Sequence, residues 1–256
     1  MEKITKEYLD LQTERINTSD FIEADPVRFP RRYNRLQDIE IASFITAIIA
    51  WGNRKSILAD AERMFAFMDN NPLDYVMKRG YELLGNANLH RTFFESDLKY
   101  ILNGMRPIFL EFGSIEAYLI NRLGESLSSI TPWHIARVIE EQIRMANGNI
   151  PNRECARFFA GDTSALKRVN LALRWLVRND GIVDMGVWSI MKPSQLYIPL
   201  DVHVGNTARR LGLLQRKSND RKAVEELTAK LREFCPEDPM RYDFALFGMG
   251  VNGIED

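Results

Sequence analysis

Two residues distant in the chain carry groups that together can do covalent chemistry, an amine and a fixed carboxylate. The first is Lys167, in the run Gly161-Asp-Thr-Ser-Ala-Leu-Lys-Arg-Val-Asn-Leu-Ala-Leu-Arg-Trp-Leu-Val-Arg178. In that run Leu166, Val169, Leu173, Leu176 and Val177 repeat at helical spacing, and Lys167, Asn170, Arg174 and Arg178 form a polar stripe beside them. The pattern predicts a helix over 164–178, capped by Thr163 or Ser164, with Lys167 near its first turn. There the positive end of the helix dipole opposes an ammonium ion, and partial burial opposes it too. A lysine so placed loses its proton more readily and becomes an amine nucleophile. The competing reading is a solvated surface lysine.

The second is Asp201, in Pro199-Leu-Asp-Val-His-Val204. An aspartate at a helix start accepts backbone N–H bonds and stays ionised, and a few such caps also face a pocket where they stabilise developing positive charge. A plain structural cap is the alternative. Asp201 and His203 can also be written as metal ligands, but no other grouping in the chain has ligand spacing, so we expect no resident metal and no cofactor. Between Arg153 and Arg216 ten basic residues face five acidic ones, an excess of five in a chain whose total is −1. That local excess can offer a phosphate-contacting face, with Arg168, Arg174 and Arg209 as candidates, or it can be an ordinary solvated surface. Of Trp51, Trp133, Trp175 and Trp188, most are expected in the core, with room for one to stack on an unpaired base.

Helices must position these groups, because long alternating runs are absent and nearly every segment repeats at helical spacing. We expect helices over about 1–16, 39–51, 55–68, 94–112, 115–123, 132–146, 153–159, 164–178, 200–214, 220–234 and 239–247. Thr131 before Pro132 should cap one of them, since proline at the first helical position forfeits no needed donor. Residues 197–204 alternate like a half-buried strand, but Pro199 weakens a ladder and Leu200, Val204, Ala208 and Leu211 fit a helix face. The helix is the reading adopted, with Asp201 in its first turn, and the fold class is all-α.

Composition narrows the function classes. The chain has 256 residues, 45% hydrophobic and 27% charged, enough to bury a sizeable core. Lys plus Arg is 34 against 35 for Asp plus Glu, which argues against a partner held by bulk positive charge. Two cysteines, Cys155 and Cys235, cannot build a disulfide framework. The opening MEKITKEYLDLQTERI has no apolar run of signal-peptide type, and the uncharged stretch Ile41–Asn53 is too short to cross a bilayer. A cytoplasmic protein without a membrane partner is the expectation.

The segment Pro199-Leu-Asp-Val-His-Val-Gly-Asn-Thr-Ala-Arg-Arg-Leu-Gly-Leu213 resembles the V-D-T-H-V-x-R-V-x-x-R-L-G stretch of the helix-hairpin-helix DNA glycosylase superfamily, with Asp201 at the position of its catalytic aspartate. Ser164–Arg178 resembles the second helix of that family's hairpin, and Lys167 falls where its bifunctional members carry a catalytic lysine. The resemblance runs over roughly 37–250 and departs at the hairpin itself, Phe159-Ala-Gly-Asp-Thr163, which has one glycine. The separation of 34 positions between Lys167 and Asp201 is closer to the archaeal 8-oxoguanine DNA glycosylases. The phrases RWLVRNDGIVDMGVW and YDFALFGMG also resemble an uncharacterised bacterial family of conserved proteins of similar length.

The resemblance implies two helical lobes with a cleft, about 37–150 and 1–36 with 151–256. It implies a base-excision DNA glycosylase with possible AP-lyase activity, acting on damaged DNA and, by analogy, on an oxidised purine. Lys167 would attack C1′ of the sugar, Asp201 would stabilise the oxocarbenium-like charge, and Gly161, Thr163 and Ser164 would hold a phosphate at a helix N-terminus. The rival expectation is a non-catalytic helical protein that binds nucleic acid or another partner and retains the fold.

Overall fold

Side-chain caps set many of the helix starts. In the computed structural model, which describes residues 5–124 and 129–252, Asn53 accepts the Ser56 amide at 3.2 Å and opens α4 (Arg54–Phe67). Ser114 accepts Ala117 at 3.0 Å and opens α7 (Ile115–Leu123). Asp220 accepts Ala223 at 3.1 Å and opens α12 (Arg221–Phe234). Thr131 accepts His134 at 3.4 Å ahead of Pro132, the first residue of α8 (Pro132–Ala146), as its sequence predicts. The described residues are 66% helix and 4% strand. The fold is mostly α-helical.

The chain divides into two compact units, residues 24–161 and residues 1–23 with 162–256. The sequence had placed these boundaries near 37 and 150. The 24–161 unit is built on α3 (Leu36–Ile49), a helix buried almost all round, including the polar Glu40, Ser43 and Thr46. An apolar helix with no polar face belongs inside a domain. Glu40 also accepts the Ile115 and Glu116 amides, both at 2.9 Å, and so caps the start of α7 from across the unit. The remaining helices are α5 (Pro72–Met77), α6 (Glu95–Phe112), which packs on α8, and α9 (Arg153–Phe158).

One element escaped the periodicity reading, the hairpin β1 (Asn88–His90) with β2 (Phe93–Phe94). Its strands are too short to alternate visibly. His90 is buried and pins it, with Nδ1 2.7 Å from the Asp60 carboxylate and Nε2 2.9 Å from the Trp51 carbonyl.

The other unit holds α1 (Lys6–Ile16), α2 (Ser19–Glu23), α10 (Lys167–Val177), α11 (Val202–Arg210), α12 and α13 (Tyr242–Asn252). The first four residues of the helix expected over 1–16 lie outside the described residues. Helix α13 packs against both α1 and α11. Two glycines in its sequence allow that approach. A Cβ on Gly248 would sit 2.5 Å from Ile16, and one on Gly250 would sit 2.9 Å from the Thr207 hydroxyl. Residues 197–201 form no strand, and α11 begins at Val202, two residues later than expected. Among the described residues no helix is long and apolar enough to cross a membrane.

Candidate functional site

Lys167 is the first residue of α10 and is half-buried. The expected cap is not there. Residue 166, a leucine, takes the N-cap position in the left-handed region at φ +46° with no side-chain cap, so α10 starts three residues later than Ser164. The reason is that Ser164 and Thr163 have other partners. The Ser164 hydroxyl accepts the Leu166 amide at 3.3 Å, its backbone pairs with Asp220, and the Thr163 carbonyl accepts the Arg221 amide at 2.9 Å. Thr163 and Ser164 therefore belong to a turn, and the positive end of the helix lies at 166–169. This shift places Lys167 closer to the dipole than the sequence suggested. It also means that Gly161, Thr163 and Ser164 are not the first amides of α10, and nothing crowds the space a Cβ would fill at Gly161.

Asp201 is the N-cap of α11, as its sequence position predicts. Its carboxylate accepts the Val204 amide at 2.9 Å, and its backbone is extended at φ −109° and ψ −170°. The side chain is half-exposed, while Val202 and His203 beside it are exposed. Among the described residues no three His, Cys, Asp or Glu side chains are grouped to hold a metal ion.

The C-terminal half of α10 carries a buried ionic clasp. Arg174, proposed from sequence as a DNA-backbone contact, is only 4% exposed. Its guanidinium pairs with Asp243 and, at 3.2 Å, with Asp184, and lies 4.4 Å from the Phe244 ring centroid. It is an interior residue, and the phosphate role assigned to it is withdrawn. Arg178, one turn on, pairs with Asp180 at 2.5 Å, Asp184 at 2.9 Å and Asp238 at 2.9 Å. Asp180 in turn gathers the amides of Ile182, Val183 and Asp184 at 2.9–3.1 Å. Sequence reading missed these four aspartates. The signal was present in Arg174 and Arg178 one turn apart, followed by Asp180 and Asp184 four apart, in a stretch where no helix is expected.

Two guanidinium groups thus face four carboxylates. Burial pushes the Asp184 carboxyl up despite both arginines. Burial likewise pushes Asp243 up to about 6, against the pull of Arg174, and the nearby Asp201 carboxylate adds to the rise. Helix α11, capped by Asp201, packs on α13, which carries Asp243 in its first turn. Lys167, Asn170 and Arg174 share one face of α10, the amine lying seven residues, or about 10 Å, along the axis from Arg174. Lys167 and Asp201 belong to the same unit, which holds α10, α11 and α13.

Over residues 25–252 the chain matches the model of a family described as Protein of unknown function (DUF2400). The chain belongs to that family. No match was found among curated proteins or among solved structures. The DUF2400 match spans α3 to α13 and so includes the clasp, Lys167 and Asp201.

The remaining sequence candidates in the DUF2400 chain divide by environment. Arg168 is half-buried beside Lys167. Arg209 donates from Nε to the Arg216 carbonyl at 2.7 Å and from Nη2 to the Asn219 side chain at 2.6 Å, which binds it to the loop after α11. Trp133, Trp175 and Trp188 are core residues, and Trp51 is half-buried under the Arg91 guanidinium, 4.2 Å from its ring centroid.

The clasp makes a pH prediction. Because the folded Asp243 holds its proton up to about 6 against an ordinary 3.8, the native state binds more protons than the unfolded chain in that window. Stability from this group is full below about 4 and is lost as pH rises through about 6. The melting temperature should therefore fall by a few degrees between pH 5 and pH 7, and Asp243→Asn should flatten that slope. A slope unchanged in the variant would assign it elsewhere.

Proposed function

We propose that this DUF2400 chain is a base-excision DNA glycosylase with AP-lyase capability. The observations that support the reading are that Asp201 caps α11, that α11 packs on α13, and that Asp243 of α13 pairs with Arg174 on the same helix as Lys167. The half-buried position of Lys167 at the first residue of α10 also supports it.

In this reading a damaged nucleotide is flipped out of the stack so that its sugar lies between the amine and the carboxylate. As the N-glycosidic bond breaks, its electron pair leaves with the base, which takes a proton. The Asp201 carboxylate stabilises the positive charge shared by C1′ and the ring oxygen. The Lys167 lone pair forms a bond to C1′, and the nitrogen proton passes to Asp201 or to water. Breaking the C1′–ring-oxygen bond, with a proton to that oxygen, leaves a protonated imine between C1′ and Lys167. Loss of a C2′ proton then expels the 3′-phosphate. An oxidised purine is the proposed base, by fold analogy. Arg168, with Gly161, Thr163 and Ser164 on the turn that leads into α10, is the proposed backbone contact.

Asp201→Asn tests the carboxylate without removing the cap, because asparagine caps helices as well as aspartate. Excision of 8-oxoguanine from a duplex oligonucleotide should slow by about 10²- to 10³-fold, a range expected for a group that manages charge and protons. The melting temperature should hold. Full activity in the variant would remove Asp201 from the chemistry. A protein that binds DNA but releases no base and forms no adduct would be the non-catalytic binder instead.

A further inference from the structure

Asp201 is held from two directions. Its carboxylate is fixed by the Val204 amide, and its carbonyl accepts two bonds, from the Gly205 amide at 2.9 Å and from the Asn219 side-chain amide at 3.0 Å. The second comes from outside the helix. Asn219 lies at the end of the loop between α11 and α12, and its side-chain oxygen accepts Nη2 of Arg209 at 2.6 Å. Arg209 also holds the loop through the Arg216 carbonyl at 2.7 Å, and Arg216 pairs with Asp220 at 2.5 Å, the residue that caps α12. A continuous chain of bonds thus runs from the cap of α12 to the cap of α11.

Gly205 is the residue that makes room for it. It is buried inside α11, where glycine weakens a helix relative to alanine. A Cβ at that position would sit 2.8 Å from the Asn219 side-chain oxygen and 2.9 Å from Nη1 of Arg209. The helix accepts a weaker residue where the brace passes.

We propose that Asn219, oriented by Arg209 and admitted by Gly205, is the positioning residue of Asp201. The proposal rests on the glycosylase reading for its catalytic meaning, but its geometry stands apart from it. With the carbonyl pinned, the peptide plane after Asp201 is fixed and the carboxylate keeps only its own side-chain torsions. That is the preorganisation a charge-stabilising carboxylate needs. The brace leaves Lys167 untouched, so losing it should misplace the carboxylate without altering substrate binding.

The test is Asn219→Ala, with Gly205→Ala as a second variant that keeps every polar group and only crowds the brace. Hydrogen exchange at the Val204 amide reads the cap directly and requires no substrate. We expect protection there to fall at least tenfold in both variants, with distant α12 amides unchanged. On 8-oxoguanine duplex, kcat should fall about tenfold with KM unchanged. Adding Gly205→Ala to Asn219→Ala should produce less further loss than Gly205→Ala does alone, because of the two side chains it crowds only Arg209 remains. Unchanged Val204 protection in both variants overturns the proposal, even if the wild type is an active glycosylase. Lost protection with an unaltered kcat in an active enzyme also overturns it, since the brace would then be structural alone. A wild type that excises no base and traps no abasic site defeats the glycosylase reading, and Val204 protection then decides whether the brace holds Asp201.

Discussion

Replacing Lys167 by alanine should abolish the covalent adduct that borohydride traps between this protein and abasic DNA, by a factor on the order of 10³ or more. The size of the effect follows from chemistry. Only a neutral amine can form the imine that borohydride reduces, and removing the nucleophile leaves no second route to the same bond. The effect on stability should be much smaller, a shift of no more than a few degrees in melting temperature, because Lys167 is half-buried at the first residue of α10. An adduct that persists in Lys167→Ala would place the reacting amine elsewhere and end the lyase mechanism. Loss of the adduct together with a collapse of folding would show that Lys167 is structural.

The second large effect is on folding. Arg174→Met should destabilise the protein by about 3–5 kcal/mol, because it strips a guanidinium from carboxylates that have no access to water. Asp184 is 1% exposed and Asp243 4% exposed, and both face Arg174. Arg178 retains its own bonds to Asp184, but Asp243 has no other arginine among its ion pairs in the described residues. Pairing Arg174→Met with Asp243→Leu should recover part of the loss, since replacing both partners removes the stranded charge. Denaturant unfolding of the two variants checks this. A surface arginine that grips phosphate would behave in the opposite way, weakening DNA binding with a change in stability within about 0.5 kcal/mol. Equal stability of wild type and Arg174→Met would return Arg174 to the list of DNA contacts.

These two residues lie on one stripe of one helix, and the periodicity of 161–178 identified that stripe correctly. It could not separate its members. Lys167 and Arg174 are both polar, both basic and seven residues apart, so they look alike to any rule based on spacing. Their environments differ because the loop after α10 folds back, with the Met185 amide on the Trp175 carbonyl at 2.9 Å and the Trp188 amide on the Leu176 carbonyl at 2.8 Å. That return carries Asp180 and Asp184 onto the C-terminal half of the helix and closes it over Arg174. Lys167, at the N-terminal end of the same stripe, stays half-buried.

The helix starts show the same division. Thr131, Asn53, Ser114, Asp201 and Asp220 cap because a short polar side chain reaches an amide two or three residues ahead, a local bond that local sequence can predict. Thr163 and Ser164 carry the same chemistry, yet they do not cap α10. Their backbone is drawn to the start of α12, some sixty residues away, and a leucine is forced into the left-handed region instead. Glu40 is the converse case, a carboxylate that caps a helix far along the chain.

By itself the sequence determined the helical class, most helix spans and the cap at Asp201. Each depends on neighbours within about four residues, the range of a helical turn. Only the tertiary structure decided that Arg174 is interior, that four aspartates converge on two arginines, and that Asn219 braces Asp201. Those outcomes depend on which distant segments exclude water from a charge, and no spacing rule contains that information.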